Sequence, residues 1–150
     1  MKILGPLHSA DPQHWAVMPA LLARVEQFCA DYPTDLLYSQ LREFILRNFW
    51  LTPPHTMGAI LIVDDAGAVV GHTLGSIEAR GTTKVGFVVQ YQVDQHVPAE
   101  FRDELMQCLR DWARPHQVSA LECITWLPPK VFERYGFTVH RTIMRAPLEG

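Results

Sequence analysis

Val131-Phe132-Glu133-Arg134-Tyr135-Gly136-Phe137-Thr138-Val139 is the stretch on which the fold turns. Pro128-Pro129 stand just before it, and proline at the first positions of a helix is pre-set for the helical turn. The stretch reads as a short helix ending at Tyr135. Gly136 follows where a helix needs a left-handed residue to turn its backbone out, a conformation glycine takes without strain. Phe137 to Met144 then reads as a strand with one apolar face. Any small α/β domain could use this device, so the order of the other elements has to carry the rest.

Upstream, Val118 to Cys123 reads as a strand. Before it, Pro98 opens a helix through Arg114, with Phe101, Leu105, Cys108, Leu109 and Trp112 on one face. Ala59 to Val63, Val69 to Ala79 and Lys84 to Val93 form an antiparallel meander. Its turns are Asp64-Asp65-Ala66-Gly67 and Arg80-Gly81-Thr82-Thr83. Two helices precede the meander. Asp11-Pro12 caps the first, with Trp15, Met18, Leu21, Leu22, Val25, Phe28 and Cys29 at helical spacing and a kink or turn expected at Pro19. The second starts near Thr34-Asp35, buries Leu37, Leu41, Phe44 and Ile45, and ends at Thr52-Pro53-Pro54. Lys2 to Leu7 is a first short strand. The order is β, α, α, β, β, β, α, β, α, β. That predicts one α/β (α+β) domain over residues 1–150, with a mixed sheet of about six strands and helices on both faces.

Composition agrees with one globular domain. The chain has 150 residues, 48% hydrophobic and 19% charged, which suits a packed core and argues against disorder. The 13 Lys and Arg are scattered among 16 acids, so no basic stripe marks a nucleic-acid binder. No apolar run approaches the roughly 20 residues of a membrane helix, and the N-terminus lacks the pattern of a signal peptide. Cys29, Cys108 and Cys123 sit in apolar patterns without ligand spacing, as expected for reduced thiols in a cytoplasm. No two of the seven histidines have helical ligand spacing, so no metal is expected.

The element order resembles the GNAT superfamily, the CoA-dependent N-acetyltransferases. Two stretches carry the resemblance. Val131 to Val139 looks like the family's closing helix, Gly-Phe turn and following strand. Ile60 to Gly71 is similar to its strand-turn-strand hairpin. The resemblance implies a cleft where the sheet splays open, with the CoA pyrophosphate on backbone N–H groups at the start of the central helix. Free N–H groups at the positive end of a helix make an anion site, and glycines let the phosphates approach.

Position by position, that site looks damaged. The family's loop reads Arg or Gln, two residues, Gly, one residue, then Gly or Ala; here it is Gln95-His96-Val97-Pro98-Ala99-Glu100. Pro98 has no N–H to donate. Glu100 brings a like charge, and two such charges about 4 Å apart near a surface repel by roughly 4 kcal/mol before screening. The vestigial cofactor positions are Val93, Gln95, Val97, Ala99 and Glu100. The tyrosine that the family often places four residues before the glycine, as acid for the departing thiolate, is Phe132 here. Tyr135 could replace it if its ring reaches the cleft. Gln90 and Gln92 stand where some members hold a basic glutamate, and His72 is a candidate base if it faces the cleft.

Three readings follow from this resemblance. The first is a non-catalytic GNAT-fold protein that needs no cofactor. It would bind a protein partner or its own copies as an assembly component, as reduced phage-encoded and virion members of the family do, in the cytoplasm or in a particle made there. The second is an active acetyl-CoA-dependent N-acetyltransferase with a divergent loop, acting on a small amine or a protein amine. The third is a small-molecule binder that uses the cleft without CoA. Trp50-Leu51-Pro53-Pro54 and Trp126-Leu127-Pro128-Pro129 are either core lids or contact patches.

Overall fold

The computed structural model describes residues 1–32, 36–51, 55–125, 129–140, 144 and 146–148. Strand β1 (Lys2–Leu4) is followed by helices α1 (Pro12–Asp31) and α2 (Tyr38–Trp50). The meander is β2 (Met57–Val63), β3 (Val69–Arg80) and β4 (Thr83–Val93). Then come α3 (Ala99–Ala113), a single 3-10 turn (Arg114–His116), β5 (Leu121–Cys123) and the short α4 (Lys130–Glu133). The strands lie in the order β1-β2-β3-β4-β5. All neighbours are antiparallel except β4 and β5, which run parallel. The expected mixed sheet is therefore present, with five strands among the described residues. Residues 137–140 lie in no strand, and residues 141–143 of the sixth expected strand fall outside the described set.

The sheet is covered on both faces. α1 and α2 bury Leu21, Val25, Leu41, Ile45 and Phe49 against Leu61 and Leu74. α3 and α4 bury Leu105, Leu109, Trp112 and Phe132 against Ile60, Ile62 and Val88. Opposite faces of β2 thus feed two cores, as strand alternation requires. None of the described helices is long and apolar enough to cross a membrane.

Local signals explain the ends of elements. Asp11 caps α1 by accepting a bond from the Gln13 N–H (2.8 Å), with Pro12 in the first turn. Gly136 has φ +86. Its N–H donates to the Glu133 carbonyl (2.9 Å), and the Phe137 N–H donates to the Phe132 carbonyl (3.3 Å). This paired pattern closes α4 and needs the left-handed residue foreseen there.

Three expectations are corrected. Helix α1 runs through Pro19. Pro19 lacks the N–H that would pair with the Trp15 carbonyl, and both residues lie on the exposed face of α1. Leu37 and Phe44 do not join the core. Leu37 is the residue before the first turn of α2 and is 65% exposed, while Phe44 is 39% exposed at the edge of the buried stripe. The expected start at Thr34-Asp35, the break at Thr52-Pro53-Pro54 and Trp126-Leu127-Pro128 lie outside the described residues.

Candidate functional site

Among the described residues, β4 and β5 pair at Gly86↔Leu121, Phe87↔Glu122 and Val88↔Cys123. Past Val88 the edge of β4 is open, and a cleft of about 340 Å³ wraps around it. β3 pairs Leu74 with Gln90 and Gly75 with Val88, which leaves Val89 as the extra residue of a bulge at this edge. A bulge bends the strand and takes one residue out of the ladder. Val89 and Gln90 accordingly face the α1 side of the sheet together, and Tyr91 faces α4.

On the α1 side the polar groups form a donor chain. Arg24 Nε donates to His72 Nδ1 (3.4 Å), His72 Nε2 lies 2.9 Å from Gln90 Oε1, and Gln90 Nε2 donates to Cys29 Sγ (3.5 Å). Since Nδ1 accepts, the proton of the neutral ring is on Nε2, which donates to Gln90. His72 is fully buried. Burial, and to a lesser degree the Arg24 cation, lowers its pKa from 6.5 to about 4 against the pull of the Gln90 bond. The ring is enclosed by its partners and does not line the cleft.

Arg24 also grips the loop that leads to α3. Its Nη2 lies 3.1 Å from Asp94 Oδ1. From the other side, Arg102 Nη2 donates to the Asp94 carbonyl (2.7 Å) and Arg102 Nε to the Val97 carbonyl (3.2 Å). Two arginines thus bracket the turn, and the Arg102 guanidinium also lines the cleft. Among the described residues lining the cleft there is no Asp, Glu, His or Lys.

On the α4 side the Tyr91 and Tyr135 hydroxyls are 2.8 Å apart. The Tyr91 ring also packs edge-on against Phe132. Burial, then the hydrogen bond shared with Tyr135, raises the Tyr91 phenol well above its usual value. Tyr135 is 8% exposed, and its carbonyl accepts a bond from Arg110. Tyr135 reaches the cleft only through Tyr91, which does line it.

Of the five expected cofactor positions, Val93 and Gln95 line the cleft. Val97 is turned into the core, and Ala99 and Glu100 lie exposed on the first turn of α3. Pro98 precedes that turn, and no side chain caps it. Residue-by-residue reading of the sequence missed Arg102, Arg24 and the aromatic pair Phe28 and Tyr32, which also line the cleft or its loop. For Arg102 a signal existed: a cation in the second turn of the helix, beside inward-facing Phe101 and Leu105.

No protein-family model matches the chain, and no curated protein does. Solved structures do. An aminoglycoside antibiotic 6'-N-acetyltransferase from Acinetobacter haemolyticus is 14% identical, with TM-score 0.68, over 99% of each chain. Glucosamine-6-phosphate N-acetyltransferase from Arabidopsis thaliana is 14% identical, with TM-score 0.63, over 99% of this chain and 98% of that one. AAC(6')-Iy, held with the bisubstrate analogue CoA-S-monomethyl-acetylneamine, is 12% identical, with TM-score 0.67, over 90% of this chain and 93% of that one. The fold is therefore GNAT-like, matched over 90–99% of the chain by these three acetyltransferases.

Proposed function

We propose that the chain is an acyltransferase that takes an acyl-CoA thioester, acetyl-CoA in the simplest case, into the cleft between β4 and β5 and passes the acyl group to an amine. The observation that carries this reading is the separation of β4 from β5 after Val88, which leaves an open edge and room beside it. The residues present suit the thioester arm better than the phosphates. Arg102 offers a cation at the cleft, and the N–H groups of Ala99 and Glu100 begin a helix that no side chain caps. Pro98 withholds one donor and Glu100 adds a negative charge, so the phosphates would be held weakly.

When bound, the coenzyme supplies an acyl carbon activated as a thioester. The chain's own residues position and move protons. The bulge at Val89 takes backbone out of the ladder at the cleft. Tyr91 keeps its phenolic proton at the cleft wall, with Tyr135 behind it as a hydrogen-bond partner, and can give that proton to a leaving group. Tyr135 is then a positioning residue. The half-buried cysteines are free, which suits work in a reducing cytoplasm.

A second reading rests on a separate observation. Trp15 and Trp50 are 45% and 62% exposed, and their rings pack 4.8 Å apart beside exposed Leu51. Such a patch suits a protein partner or a second copy. With no carboxylate or imidazole among the described cleft residues, the chain would then be a non-catalytic assembly component, in a virion for example. Calorimetric titration with acetyl-CoA separates the readings. Micromolar to sub-millimolar binding supports the acyltransferase. No binding at millimolar ligand overturns it and leaves the assembly reading.

A further inference from the structure

The α1 wall of the cleft points to one class of acceptor: we infer that it is a subsite for an aromatic amine, which serves as the acyl acceptor. The inference rests on the acyl-transfer reading above and specifies its second substrate. Phe28 in the last turn of α1 and Tyr32, the residue that caps its end, have ring centroids 4.9 Å apart, and both line the cleft. Val89, at the bulge of β4 and packed on the same core as α1, lines the cleft with them. Tyr91 and Phe132 continue the aromatic lining around the strand edge. A cleft of about 340 Å³ walled by rings takes a flat apolar molecule by offset or edge-on stacking.

Charge narrows the class further. Arg102 carries the formal charge among the described lining residues, and its sign is positive. An aliphatic amine with a pKa near that of lysine is a cation at pH 7, with roughly one molecule in 10³ neutral. Aromatic faces can hold such a cation, but the protonated nitrogen has no lone pair with which to attack. No described carboxylate or imidazole lines the cleft to remove its proton, and His72 is sealed behind Gln90. An aromatic amine is neutral at pH 7 because its lone pair is delocalised into the ring, so it arrives ready to react. Its nitrogen forms the new C–N bond to the acyl carbon. The C–S bond breaks, and the sulfur leaves with the electron pair. One N–H proton is lost from nitrogen and one proton is gained by sulfur, with Tyr91 as the relay, so nothing is oxidised or reduced.

The test compares 4-methylaniline with benzylamine, which has the same ring and size but a strongly basic nitrogen. Binding of each amine to the full chain is measured by calorimetry, and transfer from acetyl-CoA is followed as thiol release at pH 7. The expected result is millimolar or tighter binding of 4-methylaniline and acylation at least about tenfold faster than that of benzylamine. Phe28→Ala and, independently, Tyr32→Ala weaken 4-methylaniline binding about tenfold and leave acetyl-CoA affinity within about twofold. Equal or faster transfer to benzylamine overturns the inference and leaves the acyltransferase standing. Unchanged amine binding in both variants overturns the subsite. Failure of acetyl-CoA itself to bind overturns the acceptor role together with the acyl-transfer reading, and the amine titrations then decide the subsite alone.

Discussion

The hydroxyl of Tyr91 sits 2.8 Å from the hydroxyl of Tyr135, so a residue on the open edge of β4 is tied to the turn that ends at Gly136. Phe132 stands where the resemblance places a proton donor, and under the proposed acyl transfer Tyr91, packed against it, would take that role. Because burial first, and Tyr135 second, raise the Tyr91 phenol, it stays protonated through the neutral range. Tyr91→Phe should lower turnover about 10²-fold, the usual size of a general-acid contribution, with acetyl-CoA affinity unchanged within about twofold. Tyr135→Phe should cost about tenfold, since it removes the partner and not the donor. The wild-type pH–rate profile should show no alkaline loss below about pH 9 from this group. A Tyr91→Phe enzyme with full turnover would remove Tyr91 from the mechanism.

Trp112 lies flat against two glycines. A Cβ at Gly75 would sit 2.6 Å from Trp112 Cζ3 and 2.8 Å from Leu109 Cδ1, and one at Gly58 would sit 2.7 Å from Trp112 Cε2. The indole cannot easily move, because its Nε1 donates to the His55 carbonyl (3.0 Å). Gly75→Ala should therefore destabilise the fold by about 1–3 kcal/mol through overpacking, read as a lower urea midpoint with an unchanged slope. An unchanged midpoint would mean that α3 lies further from the sheet than described.

What the sequence disclosed about this architecture was local. Asp11-Pro12, the two meander turns and Tyr135-Gly136-Phe137 each specify an end through backbone chemistry carried within a few residues, and the element order followed from them. The turn expected at Pro19 is absent because one lost bond on the exposed face does not outweigh the packing of Met18, Leu21 and Val25 on the other. Leu37 and Phe44 misled because helical spacing marks a stripe and not how wide a groove the neighbours cover. The site was least visible. Arg24 and Asp94 meet across 70 positions, and Cys29 and Gln90 across 61. No periodicity links such residues; only the folded sheet does. His72 could be assigned to a strand, but that its ring would be enclosed depended on α1 lying over it.

That enclosure makes stability depend on pH. With the native pKa of His72 lowered from 6.5 to about 4, the unfolded chain takes up a proton below pH 6.5 that the native chain refuses until about pH 4. Stability from this group is therefore complete above pH 6.5 and is lost as pH falls toward 4. The loss is about 1.4 kcal/mol per pH unit in that window, or roughly 2 kcal/mol by pH 5. His14, also lowered by burial, acts in the same direction. Urea unfolding at pH 7 and pH 5 should show this drop, and His72→Gln should flatten it by roughly 2 kcal/mol. Equal slopes for the two proteins would mean that His72 is accessible to protons in the native state.

Pro98 and Glu100 can be tested by restoring what they lack. Pro98→Gly returns an N–H at the entry to α3, and Glu100→Ala removes an exposed negative charge from its first turn. If the coenzyme's phosphates lie at this turn, the double variant should bind acetyl-CoA about tenfold more tightly, a gain of about 1.4 kcal/mol. Arg102→Gln should weaken binding by a similar factor and reduce its salt dependence, because it removes the cation at the cleft. The double variant should at the same time be slightly less stable, since an acid in the first turn favours the helix dipole and glycine loosens the unfolded chain. Tighter binding with lower stability is a combination that a purely structural role for these residues does not produce. Unchanged affinity in both variants would place the phosphates away from this turn and from Arg102.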